Sequence, residues 1–133
     1  MDDMYREAII EHYKNPGYHG VLEPADISFE DNNPLCGDHL RIDLRIDAGG
    51  CITEAAFSGH GCAISQASAD MLLGSIIGKP LDEVKKMNKQ DILDLIGIEL
   101  GPVRLKCALL SLKVLKSAAY GIHQGESVEL DLD

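Results

Sequence analysis

The chain has 133 residues, 45% of them apolar, and a formal net charge of -10 at neutral pH. Nucleic-acid binders need basic footprints to displace counterions, and anionic membranes repel acidic surfaces, so a soluble protein with a protein partner is expected instead. No apolar run reaches the about 18 residues of a membrane span, and the charged N-terminal stretch lacks the apolar core of a secretory signal, so a cytoplasmic location is expected.

Residues 4–14 read as a short helix, with Ile9, Ile10 and Tyr13 on its apolar side and Asn15-Pro16-Gly17 ending it. Ala25–Glu30 alternates as a strand with one wet face, and Asn32, Asn33 and Pro34 mark a break. His39–Asp47 alternates more cleanly, Leu40, Ile42, Leu44 and Ile46 against Arg41, Asp43, Arg45 and Asp47. Ala48-Gly49-Gly50 turns the chain into a return strand, Cys51–Ser58, and Gly59–Gly61 forms a glycine-rich junction. His39 falls on the polar side of its strand, facing solvent.

From Cys62 the period becomes helical and runs to Gly78 and Pro80. Two short helices follow at about 81–86 and 89–95, the second capped near Asn88. Pro102 precedes a long helix, about 103–120, whose core face is Leu105, Leu109, Leu112, Leu115 and Ala119, with Gly121 as its stop. Three antiparallel strands need one face covered, and these helices are the only cover. The expected fold is therefore an α+β two-layer sandwich, a three-stranded antiparallel sheet packed against helices. One domain is expected over 1–133, compact from about 4 to 121, with 122–133 a flexible acidic tail.

Of the four cysteines, Cys36, Cys62 and Cys107 sit at joints between elements, and Cys51 begins a strand. Buried inert thiols are common, and disulfides are disfavoured in a reducing cytosol. Cys62 opens a helix, where free N–H groups and the dipole favour thiolate, the form that binds metal. Gly37 and Gly61 let the backbone pass close to a bound ion. Soft thiolates select zinc, copper(I) or iron–sulfur units. Asp38, two residues after Cys36, can supply a fourth, harder and more exchangeable ligand, and reads equally as a turn residue bonding to its own backbone. Lys106 and Arg104 place cations beside a set carrying four formal negative charges, or are simply solvated helix residues. Cys51 reads as incidental, and His60 as making a local polar contact.

Three ordered motifs carry a resemblance. Asn33-Pro34-Leu35-Cys36-Gly37-Asp38, Gly59-His60-Gly61-Cys62-Ala63-Ile64-Ser65 and Arg104-Leu105-Lys106-Cys107-Ala108 resemble the ligand loops of the U-type iron–sulfur cluster scaffold family, which contains IscU, SufU and the amino-terminal domain of NifU. Tyr5-Arg6-Glu7 and His12-Tyr13-Lys14-Asn15-Pro16 resemble the family's opening.

The resemblance implies a SufE/NifU-like fold and a metal or cluster site formed by Cys36, Asp38, Cys62 and Cys107. That site would hold a transient [2Fe-2S] cluster, or zinc in the same place. A cysteine desulfurase would deliver persulfide sulfur, and recipient or carrier iron–sulfur proteins would accept the cluster. The protein would be a non-enzymatic scaffold, monomeric or weakly self-associating. Lys106 matches the SufU branch, where IscU has His, whereas the 44 residues between Cys62 and Cys107 match the shorter IscU spacing. The SufU branch implies the alternative, a zinc-dependent sulfurtransferase partner of the desulfurase. Cys107, flanked by Arg104 and Lys106 and rotated away from the Leu105–Leu109–Leu112 face, is expected to be the most exposed working thiol and the sulfur acceptor, with Lys106 as electrostatic support.

Overall fold

The computed structural model describes residues 2–33 and 37–120, and at Asp2, Asp3 and Tyr5 the backbone alone. In chain order the elements are α1 (Asp2–Lys14), β1 (Ile27–Asn33), β2 (Asp38–Ile46), β3 (Ile52–His60), α2 (Ala63–Ile76), α3 (Leu81–Lys85), α4 (Lys89–Ile96) and α5 (Pro102–Tyr120). The strands form one antiparallel sheet in the order β1-β2-β3. Helices cover one face, so the expected two-layer α+β architecture is the observed one.

The register follows the alternation. Phe29, Ile42 and Phe57 are successive cross-strand partners, and Leu44 lies between Ile27 and Ala55. Their apolar side chains meet Leu72, Leu73 and Ile76 of α2 and Leu112 and Leu115 of α5 in one core. α5 packs on β1 and β2 with its flank against α2, and α1 lies on α2. Asn88 caps α4 in a reciprocal capping box with Asp91, and Gly97 closes that helix in the left-handed region.

Two strand ends differ from expectation. β1 does not break at Asn32 but continues through Asn33. Asn32 opposes His39 and bonds to its ring, and Asn33 opposes Asp38, so polar contacts extend the ladder where apolar alternation has stopped. β3 likewise runs on through Gly59 and His60. Gly59 has φ +125, and a Cβ there would stand 2.2 Å from the His39 carbonyl oxygen. Only glycine lets the strand pass so close to its partner.

The polar face of the sheet is not uniformly wet. Backbone bonds join Tyr18 and Gly20 to Phe57 of β3, and Asp26 to Leu44 of β2. Between these anchor points Leu22 N–H donates to the carboxylate of Asp43. Asp43 is fully buried there, also accepting from Ser28 and Arg41.

Among the described residues no helix is long and apolar enough to cross a membrane. The expected tail, 122–133, lies outside the described residues.

Candidate metal and cluster site

The end of the sheet nearest the α2 N-terminus gathers three of the four expected ligands. Asp38 begins β2 on the helix-facing side and is 1% exposed. Cys62 is the N-cap of α2, in extended conformation, and its sulfur accepts from Ser65 N–H at 3.5 Å. Cys107 lies in the second turn of α5, which crosses behind them. One donor atom from each of Asp38, Cys62 and Cys107 lies within 4.8 Å of the others. Cys36, the fourth expected ligand, lies outside the described residues. The chain reaches Asp38 through Gly37, whose φ of +70 is a conformation that disfavours a side chain.

Asp38 is not a turn residue bonding to itself. Its Oδ1 accepts the Cys62 N–H at 2.9 Å, and Oδ2 stands 3.7 Å from Cys62 Sγ. Zinc–sulfur bonds of about 2.3 Å and zinc–oxygen bonds of about 2.0–2.2 Å at a tetrahedral angle put sulfur and oxygen about 3.5 Å apart. One carboxylate oxygen is thus fixed by the backbone while the other is spaced as a ligand beside the thiol. The donor set fits a soft metal or an iron–sulfur unit held partly by a hard, exchangeable oxygen.

Gly61 makes this possible, though not by clearing space for an ion. A Cβ at Gly61 would fall 2.5 Å from Asp38 Oδ1 and 2.6 Å from Ser65 Oγ. The glycine's vacant volume is filled by the carboxylate and the hydroxyl that frame Cys62. Ser65 appears in the second motif of the sequence but has no role assigned to it there. The signal for it was the three-residue spacing from Cys62, that of an N-cap to the N3 amide.

The exposure order of the thiols is the reverse of the expected one. Cys107 is 2% exposed, whereas Cys62 is exposed. The helical phase alone placed Cys107 off the Leu105 face, but α5 is the central helix, with sheet on one side and α2, α3 and α4 on others. From Cys107 to Leu112 every side chain is buried. Arg104 and Lys106 are exposed at the same end of the helix. Cys51 stands at the far end of β3, paired with Pro80, roughly 27 Å from the Cys62 end by strand rise. His60 opposes His39 on the outer face of the sheet and does not join the thiols.

Beside the site lies a cleft of about 310 Å³ between α1, the start of α2 and the α4–α5 connection. Ile9, Ile10, Ile64 and Ile98 line it with Arg6 and Arg104.

The NifU-like N terminal domain family matches residues 4–126. The zinc-dependent sulfurtransferase SufU of Bacillus subtilis is 38% identical over 133 residues, covering 87% of this chain and 89% of that protein. The iron–sulfur cluster assembly scaffold protein IscU of Thermotoga maritima is 34% identical over 131 residues, covering 86% and 92%. Among solved structures, a SUF-system cluster assembly scaffold candidate from Fervidobacterium islandicum superposes with a TM-score of 0.75 at 32% identity, over 85% of this chain and 94% of that one.

Proposed function

The chain belongs to the U-type iron–sulfur cluster assembly scaffold family, and from that membership we propose that it assembles a [2Fe-2S] cluster on Cys36, Asp38, Cys62 and Cys107 and passes it to recipient proteins in the cytoplasm. The observation that carries this reading is the buried Asp38 carboxylate, clamped to the Cys62 amide with its second oxygen among the thiols. A permanent zinc site would be better closed by a fourth sulfur or an imidazole. A carboxylate ligand suits a cargo that has to leave.

Sulfur arrives as persulfide from a cysteine desulfurase. The acceptor thiolate attacks the outer sulfur, the bond to the desulfurase sulfur breaks, and that sulfur departs as thiolate, with no net oxidation. Cys107 is the proposed acceptor, with Arg104 and Lys106 beside it. Because Cys107 is buried, its reaction requires the residues that cover it to move, whereas Cys62 is exposed from the start. Peptide mass mapping after incubation of apo-protein with a desulfurase and cysteine decides between them. Persulfide on Cys62 or Cys36, with Cys107 unmodified, rejects the assignment to Cys107. The cleft beside the site, largely apolar and lined also by Arg6, Arg104 and Glu99, supports docking of a protein partner there.

A second reading is favoured by the 38% identity to a zinc-dependent sulfurtransferase and by Lys106. In it the same ligands hold zinc, and the protein accepts sulfur without building a cluster. Anaerobic purification followed by iron, zinc and acid-labile sulfide analysis separates the two. Iron and sulfide in equal amounts support the scaffold; zinc alone, with desulfurase-dependent persulfide, supports the second reading.

A further inference from the structure

The cleft beside the thiolate site leaves apolar surface uncovered. Ile9, Ile64 and Ile98 line it, and Ile10, which lines it too, is 46% exposed. Val103, beside the lining residue Arg104 in the chain, is 56% exposed. Apolar surface gathered around a concave site marks a place where another segment packs. Two cations share the lining. Arg41, Arg45, Lys85 and Lys113 are ion-paired, whereas Arg6 and Arg104 have no ion-pair partner among the described residues. Exposed Glu99 offsets one of them, so the lining stays positive in a chain of net charge -10. A segment that is apolar along one edge and acidic along the other fits this combination.

The chain carries such a segment. Beyond α5, Val128, Leu130 and Leu132 alternate with Glu129, Asp131 and Asp133, and residues 121–133 hold no lysine or arginine. Extended backbone sends alternate side chains to opposite sides, so the apolar residues share one edge and the acids the other. The reach is adequate. Arg104 and Tyr120 stand near opposite ends of α5, roughly 24 Å apart at a rise of about 1.5 Å per residue. Residues 121–127 can span about 23 Å, which brings residues 128–133 back level with the cleft.

We propose that residues 128–133 dock in this cleft of their own chain, with Val128, Leu130 and Leu132 against the isoleucines and the acids beside Arg6 and Arg104. The docked segment covers Ile64, two residues from Cys62 along the chain, and Arg104, three from Cys107. It thus occupies the surface that a protein partner needs, and the partner binds by displacing it. That consequence rests on the partner docking proposed above; the contact itself does not.

The test uses the isotope-labelled full chain in methyl NMR. Cross-peaks are expected between Leu130 or Leu132 and Ile9, Ile10, Ile64 or Ile98, and a mixture of labelled and unlabelled copies should show none between copies. Leu130→Ser combined with Leu132→Ser should abolish these cross-peaks and shift the Ile64 and Ile98 methyl signals, while the urea midpoint, set by the core, stays at the wild-type value. Arg6→Glu should weaken the same contact, as should salt approaching 1 M, where the screening length is about 3 Å. A cysteine desulfurase should bind the double tail variant at least about twofold more tightly than wild type, because a tail in place more than half the time leaves less than half of the protein competent. Absence of cross-peaks in wild type, cross-peaks only between copies, or Ile64 and Ile98 signals unmoved by the tail substitutions would overturn the docking. An intact contact with unchanged desulfurase affinity would overturn the competition alone.

Discussion

Gly61→Ala isolates the geometry of the site in one methyl group. Gly61 is not in the left-handed region, so alanine carries no backbone penalty there. The cost is steric. The new Cβ would stand 2.5 Å from Asp38 Oδ1, 2.7 Å from Asp38 Cγ and 2.6 Å from Ser65 Oγ, where real contacts stay beyond 3.0 Å. The carboxylate is buried and cannot swing into solvent, so it has to retreat from the Cys62 amide. Overpacking of this kind costs about 1–3 kcal/mol, and weakening a hydrogen bond to a charged group adds up to about 1.5–3 kcal/mol. Partial relaxation leaves an expected loss of about 2–4 kcal/mol. With a urea slope of about 1–3 kcal/mol/M the midpoint of the apo-protein should fall by about 1 M or more. Zinc affinity should fall by about 10–100-fold as one ligand is misplaced. The double variant provides the control: in an Asp38→Ala background Gly61→Ala should cost much less, because its clash partner is gone. Wild-type midpoint and wild-type affinity in Gly61→Ala, or an undiminished cost in the double variant, would refute the argument that Gly61 exists to seat Asp38.

Asp38→Ala itself should make a bound cluster outlast that of wild type when a chelator is added, read from the decay of cluster absorbance; faster loss would show that the carboxylate does not tune release. Cys51→Ser should leave metal content near wild type, since Cys51 sits at the opposite end of β3; a loss like that of Cys36→Ser would bring it into the site. Asp70→Ala should destabilise the fold by about 1–3 kcal/mol in urea unfolding and open α1 to proteolysis. Asp70 is 2% exposed on α2, where it accepts from Tyr18 N–H at 2.9 Å and meets His12 of α1 at 2.6 Å. An unchanged midpoint would mean that α1 is fastened by apolar contact alone.

The sheet was legible because Leu40, Ile42 and Leu44 alternate with polar residues, and one face of a sheet imposes that period. Strand ends were less so, because beyond Phe29 and Phe57 the pairing rests on Asn32, Asn33, Gly59 and His60, whose contacts follow no hydrophobic period. The candidate ligands Cys36, Asp38 and Cys62 were visible because each sits beside a glycine, Cys62 also at a helix start, and Cys107 because it lies near the start of the last helix. Their burial was not. A helix pattern tells which side faces one neighbour, and α5 has neighbours on nearly every side, so Cys107 is covered although it leaves the leucine stripe. Asp43 and Asp70 show the same limit. Each looks like a surface acid until a distant segment, Leu22 or Tyr18, crosses over it and donates an amide.

The most direct test is cluster transfer. The protein is reconstituted anaerobically with iron(II), cysteine, a cysteine desulfurase and a thiol reductant that reduces persulfide sulfur to sulfide, then mixed with an apo-protein that takes a [2Fe-2S] cluster, and circular dichroism follows both signals. The expected result is a cluster on this chain that moves to the recipient faster than free iron and sulfide assemble there. Failure to form any cluster, while zinc binds one to one and persulfide still accumulates, would contradict the scaffold reading and leave the sulfurtransferase in its place.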